Sequence, residues 1–294
     1  MEKLTVQQAI KLGIEQLQQA GLDSDTLKLD CEILLLDAMN HSSAPNSQQK
    51  KTKTWLLTWP EHALSSAQIQ HYLDSLKQRA QGRPVAYITG TKDFWDFSLK
   101  VSPDTLIPRP ETELLVECAL DKLPLHTPVK VLDLGTGSGA IALAIASERP
   151  DAEVLASDAS AQALEVARSN AESLQLPNIQ FCRSDWFENI PEYQFDLIVS
   201  NPPYIAPDDP LLETNVQRFE SQSALLADEN GLAAIRQIIN DSRNYLKPGA
   251  WLMLEHGYTQ AEAVHGLLKE YGFRNMRTVK DLNRVDRVSM GQML

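Results

Sequence analysis

The chain has 294 residues, 43% of them hydrophobic, which suffices for a full core and is long for one domain, so two domains are the natural reading. A formal net charge of −12 and a pI near 5.0 oppose a sequence-independent grip on nucleic-acid phosphates, which needs clustered Lys and Arg. No apolar run approaches the ~18 residues that span a bilayer, and Cys31, Cys118 and Cys182 lack metal-ligand spacing, so a soluble cytoplasmic protein with reduced thiols and no membrane partner is expected.

Residues 1–83 predict a helical bundle domain. Val6, Ala9, Ile10, Gly13, Ile14 and Leu17 recur at helix spacing, as do Leu27, Cys31, Leu34 and Leu35, and then Ile69, Tyr72, Leu73, Leu76 and Ala80. The polar segment 41–51, with Pro45, reads as a surface loop, and Lys50, Lys51 and Lys53 as a solvated edge. From Gly82-Arg83-Pro84 the pattern changes. Phe97, Leu99 and Val101 alternate with Asp96, Ser98 and Lys100 after a turn at 89–91, so residues 84–102 are expected to form a β-hairpin linker. Pro108-Arg109-Pro110-Glu111-Thr112-Glu113 then opens a helix, because proline suits the first turn and acids the positive end of the helix dipole.

Residues 103–294 alternate strand and helix in the manner of an α/β, doubly wound parallel sheet. Strands are expected near 129–134, 153–157, 179–183, 196–200 and 250–255, and helices at 141–148, 161–174 and 232–246. Two last strands near 273–279 and 287–291, with no helix between them, point to an antiparallel ending.

Two motifs carry the chemistry. Gly135, Thr136, Gly137, Ser138 and Gly139 follow the first strand of this sheet and precede a helix, a turn that lets backbone approach a ligand closely. Gly135-x-Gly137-x-x-Ala140 also satisfies a dinucleotide fingerprint, with Asp158 at about the ~20-residue offset of a ribose-binding acid, so a nicotinamide enzyme stays open on this segment. Asn201-Pro202-Pro203-Tyr204 follows the fourth strand. The Asn201 side-chain carbonyl and the Pro202 backbone carbonyl are two acceptors for the hydrogens of a planar NH2 group, and the Tyr204 ring is a surface on which to stack it. Such a nitrogen is a poor nucleophile and needs orientation toward an electrophile. Strands one and four meet at the switch point of a doubly wound sheet, so both motifs face one crevice. A sulfonium methyl donor, S-adenosyl-L-methionine, gives this clamp a purpose that hydride transfer does not.

On these residues the chain resembles the protein-glutamine N5-methyltransferase family that modifies peptide chain release factors. The resemblance runs nearly the whole length and rests on Gly82 to Gly90, Ile107 to Glu113, Asp133 to Gly139, Asn201 to Ile205 and Leu254-Glu255-His256-Gly257; Phe219-Glu220-Ser221 departs from the usual Phe-Glu-Pro. It implies a Rossmann-like class I methyltransferase sheet, a helical domain that helps engage a class 1 release factor, and as substrate the glutamine of its Gly-Gly-Gln loop. Gly135 to Gly139 would wrap the methionine portion of the cofactor with backbone N–H groups, Asp158 would accept the ribose hydroxyls, and Trp186, after Asp185, would lie against the adenine. Asn201, Pro202 and Tyr204 would serve the transfer itself, with Pro203 shaping the substrate slot. No metal is implied. Arg109 and Glu111 line the pocket entrance or make a structural ion pair, and Glu255 and His256 form a buried pair or touch the substrate loop. Rival readings are a nucleic-acid amine methyltransferase, opposed by the acidic balance, a nicotinamide oxidoreductase, and a non-catalytic module.

Overall fold

Thr5 and Ser65 each start a helix in the same way. Their hydroxyls accept the backbone N–H groups of Gln8 and Gln68, whose side chains reach back to the cap residue's own N–H, closing two capping boxes. The structure, a computed structural model, describes residues 4–22, 25–41, 50–192, 194–206, 218–221 and 224–294; most of the polar loop expected at 41–51 lies outside them. The chain divides into two units, Met1–Gly90 and Thr91–Leu294.

The first unit holds α1 (Val6–Gln19), α2 (Leu27–His41), α3 (Lys53–Thr58), α4 (Ser66–Ala80) and α5 (Val85–Thr89). The three apolar stripes meet in one core around Tyr72, Leu34, Leu35 and Leu76. A Cβ on Gly13 would collide with the Tyr72 hydroxyl and lie 2.9 Å from Cys31 Sγ, so the glycine is what lets these helices close up. Arg79 on α4 holds the buried Asp30 of α2 at 2.8 Å. Helix α3 has too few residues to show a period; its start is marked by Thr52, whose hydroxyl accepts the Trp55 N–H. Residues 85–89, expected within the hairpin linker, are helical because Pro84 presets the entry and Gly90 (φ 72°) provides a left-handed exit.

The second unit opens on the hairpin β1 (Thr91–Phe94) and β2 (Phe97–Lys100). Both hairpin ends are tied down, Trp95 N–H to Glu113 Oε1 at 2.9 Å and the Lys100 backbone to both ends of the Asn170 amide. A single 3-10 turn, Pro110–Thr112, leads into α6 (Glu113–Lys122). Then come β3 (Lys130–Leu134), α7 (Ala140–Glu148), β4 (Glu153–Asp158), α8 (Ala161–Leu174), β5 (Ile179–Arg183) and β6 (Phe195–Ser200). After a left-handed turn at Asp228–Gly231 follow α9 (Ala233–Ser242), β7 (Leu246–Glu255), α10 (Ala261–Glu270), β8 (Arg274–Lys280) and β9 (Asp286–Gln292). The helix expected at 232–246 stops early because Leu246 pairs with Phe195 and already belongs to the sheet.

The seven strands lie in the order β5-β4-β3-β6-β7-β9-β8, parallel except that β9 runs antiparallel to both neighbours. Side chains alternate across the sheet: Val131, Leu197 and Val199 join one buried cluster, and Leu132, Leu134 and Ile198 the other. Burial on both faces explains why β3 and β6 are largely apolar, with the fully buried Asp133 the exception within β3 and Asp196 near the start of β6. These two strands are neighbours, and they are where the winding reverses. Among the described residues no helix is long and apolar enough to cross a membrane.

Candidate active site

Leu134 and Ser200 are register partners at the carboxyl ends of β3 and β6, and the Ser200 hydroxyl donates to the Leu134 carbonyl at 2.7 Å. The glycine turn therefore leaves one strand beside the point where Asn201 leaves the next. A cavity of about 710 Å³ opens there. Gly135, Thr136, Gly137, Ser138, Asp158, Asp185, Trp186, Asn201 and Pro203 stand on its wall.

The turn takes left-handed backbone at Gly135 (φ 71°), Gly137 (φ 56°) and Gly139 (φ 89°). Thr136 N–H donates to the Ser157 carbonyl, Gly137 N–H to Asp158 Oδ2 and Gly139 N–H to the Thr136 carbonyl, each at 2.8–2.9 Å. This corrects one expectation: those three N–H groups hold the turn together and are not left to wrap a ligand. What the turn offers is room. A Cβ on Gly137 would meet nothing within 4 Å, and one on Gly135 only the Trp186 ring at 3.7 Å. Gly139 differs again. It is not on the wall, and its Cβ would stand 2.9 Å from Leu143 Cδ1 and 3.2 Å from Ala167 Cβ, so its absence is what packs α7 against α8. Beneath the turn Asp133, fully buried, accepts from Thr136 Oγ1 at 2.7 Å; burial pushes its carboxyl up to about 7 against that hydrogen bond.

Asp158 ends β4 and accepts from Gly137 N–H and Ser160 N–H, each at 2.9 Å. Burial raises its pKa and the backbone donors pull against it. A carboxylate has about four lone-pair sites, so capacity remains for two hydroxyls. The Asp185-Trp186 loop is fastened back to β4 by Ser184, whose N–H donates to the Asp158 carbonyl at 3.1 Å and whose hydroxyl donates to Trp186 O at 2.8 Å. An open glycine face, a two-hydroxyl acceptor and an indole on one wall fit the methionine, ribose and adenine parts of S-adenosylmethionine.

The second motif is only partly on the wall. Asn201 and Pro203 are there, and Pro202 is buried out of it. Tyr204, expected to stack on a bound amide, is also absent from the wall. Its hydroxyl donates to Glu255 Oε1 at 3.3 Å, its carbonyl accepts from Gln260 Nε2 at 2.9 Å, and burial raises its pKa. The ring is an anchor for the segment. Glu255 ends β7 with no exposure, and burial pushes it up to about 7 although Thr112, Arg287 and Tyr204 all favour its ionised form. His256 bonds to the Gly257 carbonyl and to Ser289 Oγ, both at 2.9 Å, and is structural.

Thr112 and Glu220 are wall residues given no role from the sequence, whereas Arg109, expected at the pocket entrance or in a structural ion pair, is both on the wall and ion-paired. Thr112 receives the Asn201 Nδ2 hydrogen at 3.3 Å, and Arg109 pairs with the buried Glu220 at 2.6 Å. Glu220 Oε2 is buried without a partner. Their signals were present in the Pro-Arg-Pro-Glu-Thr-Glu and Phe-Glu-Ser segments, but not the contacts that join them.

The strand order, the reversed β9 and the crevice at the β3–β6 switch define a class I S-adenosylmethionine-dependent methyltransferase. Residues 110–284 match the methyltransferase small domain and residues 8–90 the PrmC N-terminal domain. A release factor glutamine methyltransferase of Vibrio cholerae serotype O1 is 46% identical over 290 residues, 98% of this chain and 97% of its own, and one of Escherichia coli (strain K12) is 43% identical over 283 residues, 96% and 97%. A methyltransferase of Pyrococcus furiosus shares the fold with a TM-score of 0.54 at 17% identity, over 73% of this chain and 98% of its own. The chain belongs to the family of release factor glutamine methyltransferases.

Proposed function

We propose that this protein methylates the side-chain amide nitrogen of the glutamine in the Gly-Gly-Gln loop of class 1 peptide chain release factors. The observation that carries the reading is the Ser200–Leu134 hydrogen bond, which sets Asn201 beside the glycine turn on one cavity wall. When bound, S-adenosylmethionine supplies an electrophilic methyl group. The chain's own residues do the rest by orientation. Oδ1 of Asn201, a wall residue, takes an amide hydrogen, which fixes the amide plane and directs the nitrogen lone pair out of it. Pro203 closes the slot and Tyr204, through Glu255, keeps the segment from shifting. No general base is required before attack, because the amide becomes strongly acidic once it is alkylated and then loses its proton to water.

The helical unit is assigned to holding the body of the release factor, in keeping with its match to the PrmC N-terminal domain. The net charge of −12 favours a protein substrate over direct contact with nucleic acid, and a substrate from translation favours the cytoplasm. Incubation with methyl-labelled S-adenosylmethionine and a purified release factor, followed by peptide mapping, tests the reading. Label on the Gly-Gly-Gln glutamine is expected. Label elsewhere, or none, refutes it.

A further inference from the structure

Gln260 stands just before α10 and is 8% exposed, and its side-chain amide is bonded to the backbone of three separate segments. Nε2 donates to the Tyr204 carbonyl at 2.9 Å and to the Asn230 carbonyl at 3.0 Å, while Oε1 accepts the Gly257 N–H at 2.8 Å. A side-chain amide presents either end with nearly the same shape, but these partners leave no choice: two carbonyls only accept and one N–H only donates. Both hydrogens are spent. Two glycines leave room for the group, since a Cβ on Gly231 would stand 2.6 Å from Nε2 and one on Gly257 3.1 Å from Oε1.

The first partner belongs to the segment that holds the substrate amide. Pro202 and Pro203 have no N–H, so backbone donors cannot fasten residues 201–204 along their length and the segment depends on its ends. Ser200 ties the start to Leu134 at 2.7 Å, and Gln260 grips the Tyr204 carbonyl at the finish. The second partner, Asn230 (φ 56°), lies in the left-handed turn that leads into α9, whose first residues, Ala233 and Ala234, stand on the cavity wall. One amide therefore spaces two stretches that build the same wall.

We infer that Gln260 is a positioning residue for methyl transfer: through the Tyr204 carbonyl it fixes the Asn201–Tyr204 segment against the turn that opens α9. The inference rests on the amide-methylation reading above. Gln260 is not itself on the wall, so it acts through the backbone it holds.

The test uses the full-length chain, with rates counted per cofactor-binding molecule so that unfolded protein does not enter. Gln260→Met keeps the bulk and removes the amide; it should slow single-turnover transfer to the glutamine by ~10–100-fold, with KM for the release factor and cofactor affinity within ~3-fold of wild type. Gly266→Ala is the control on the same helix, since its Cβ would meet nothing within 4 Å, and it should transfer at the wild-type rate. A role confined to stability would lower the Tm of Gln260→Met and leave its rate per binding molecule unchanged, which overturns the inference. So does a loss that falls on KM or cofactor affinity alone, or an equal loss in Gly266→Ala. Should Gln260→Met not fold, Gly257→Ala, which presses a Cβ on Oε1 without left-handed strain, is read in the same way and should slow transfer by ~3–5-fold. An independent arm follows the Gln260 side-chain NH2 by 15N NMR: slow hydrogen exchange is expected in wild type, and fast exchange overturns the inference whatever the substrate. A wild type that exchanges slowly but methylates nothing refutes the functional reading alone.

Discussion

Gly231→Ala should damage catalysis from behind the site. Gly231 (φ 82°) closes three successive left-handed residues with Glu229 (φ 55°) and Asn230 (φ 56°). A Cβ there would run into the Tyr204 carbonyl oxygen, 2.7 Å from its carbon and 2.6 Å from Gln260 Nε2, where ordinary contact begins at 3.4 Å. Relief requires about 0.7 Å of movement or more, and the backbone of the Asn201–Tyr204 segment is the group in the way; misplacement near 1 Å costs up to ~10² in rate. Left-handed strain adds about 1–2 kcal/mol of instability. Gly249→Ala is the internal control, since Gly249 has φ 83° but its Cβ would find only Gln292 Nε2 at 3.9 Å. Denaturant melts should show a loss of at least the strain in both variants, while single-turnover methyl transfer should fall only in Gly231→Ala, with cofactor affinity retained. Equal rates in the two variants would refute the argument, because strain alone would then account for everything.

Asn201→Ala should lower transfer by ~10²–10³ with cofactor affinity held within a few fold, and Asn201→Asp should fall between it and wild type; wild-type rates in the alanine variant would end the amide-clamp argument. S-adenosylmethionine at ~100 times its Kd should stabilise the protein by about 2.7 kcal/mol, read as a rise in Tm, and NADH should give none; the reverse pattern would restore the nicotinamide reading. Burial holds Glu255 at about 7 against an ordinary 4.5, so folding favours the protonated carboxyl. Its stabilising share is complete below about pH 4.5 and is lost as pH climbs through 7. Between pH 5 and 8 wild type should lose about 2.5 kcal/mol relative to Glu255→Gln in urea melts, and parallel curves would refute this.

The inner strands of the main sheet were legible because they are short, largely apolar runs between turn residues, and strands buried on both faces carry no competing period; β8, Arg274–Lys280, is by contrast a polar and largely exposed edge strand. That two motifs meet at the candidate site was legible for a related reason: Gly135 to Gly139 and Asn201 to Tyr204 follow strands, and strand ends at a switch point converge. What the sequence did not disclose is where each side chain goes once the segments meet. Tyr204 looked like a free ring, but its hydroxyl finds a carboxyl 51 residues downstream, on β7. Thr112 and Asn201 are 89 residues apart, and no period or spacing joins a 3-10 turn to a strand end across that gap. Gly139 shows the same limit at short range, since a glycine needed for helix packing and one needed for ligand access read alike.

The hydrogen bond from Ser200 to Leu134 separates two problems that an enzyme of this kind has to solve. On the proposed reading, methyl delivery and amide capture are spaced by strand pairing, a distance that no loop sequence sets. Arg109, Phe219 and Glu220 contribute to the wall from outside the sheet, where substitutions leave that spacing alone. Selectivity is thus a detachable layer over fixed chemistry. A laboratory search for variants that modify a different primary amide should randomise these outer positions and leave both strand ends untouched, a far smaller library than the cavity wall suggests.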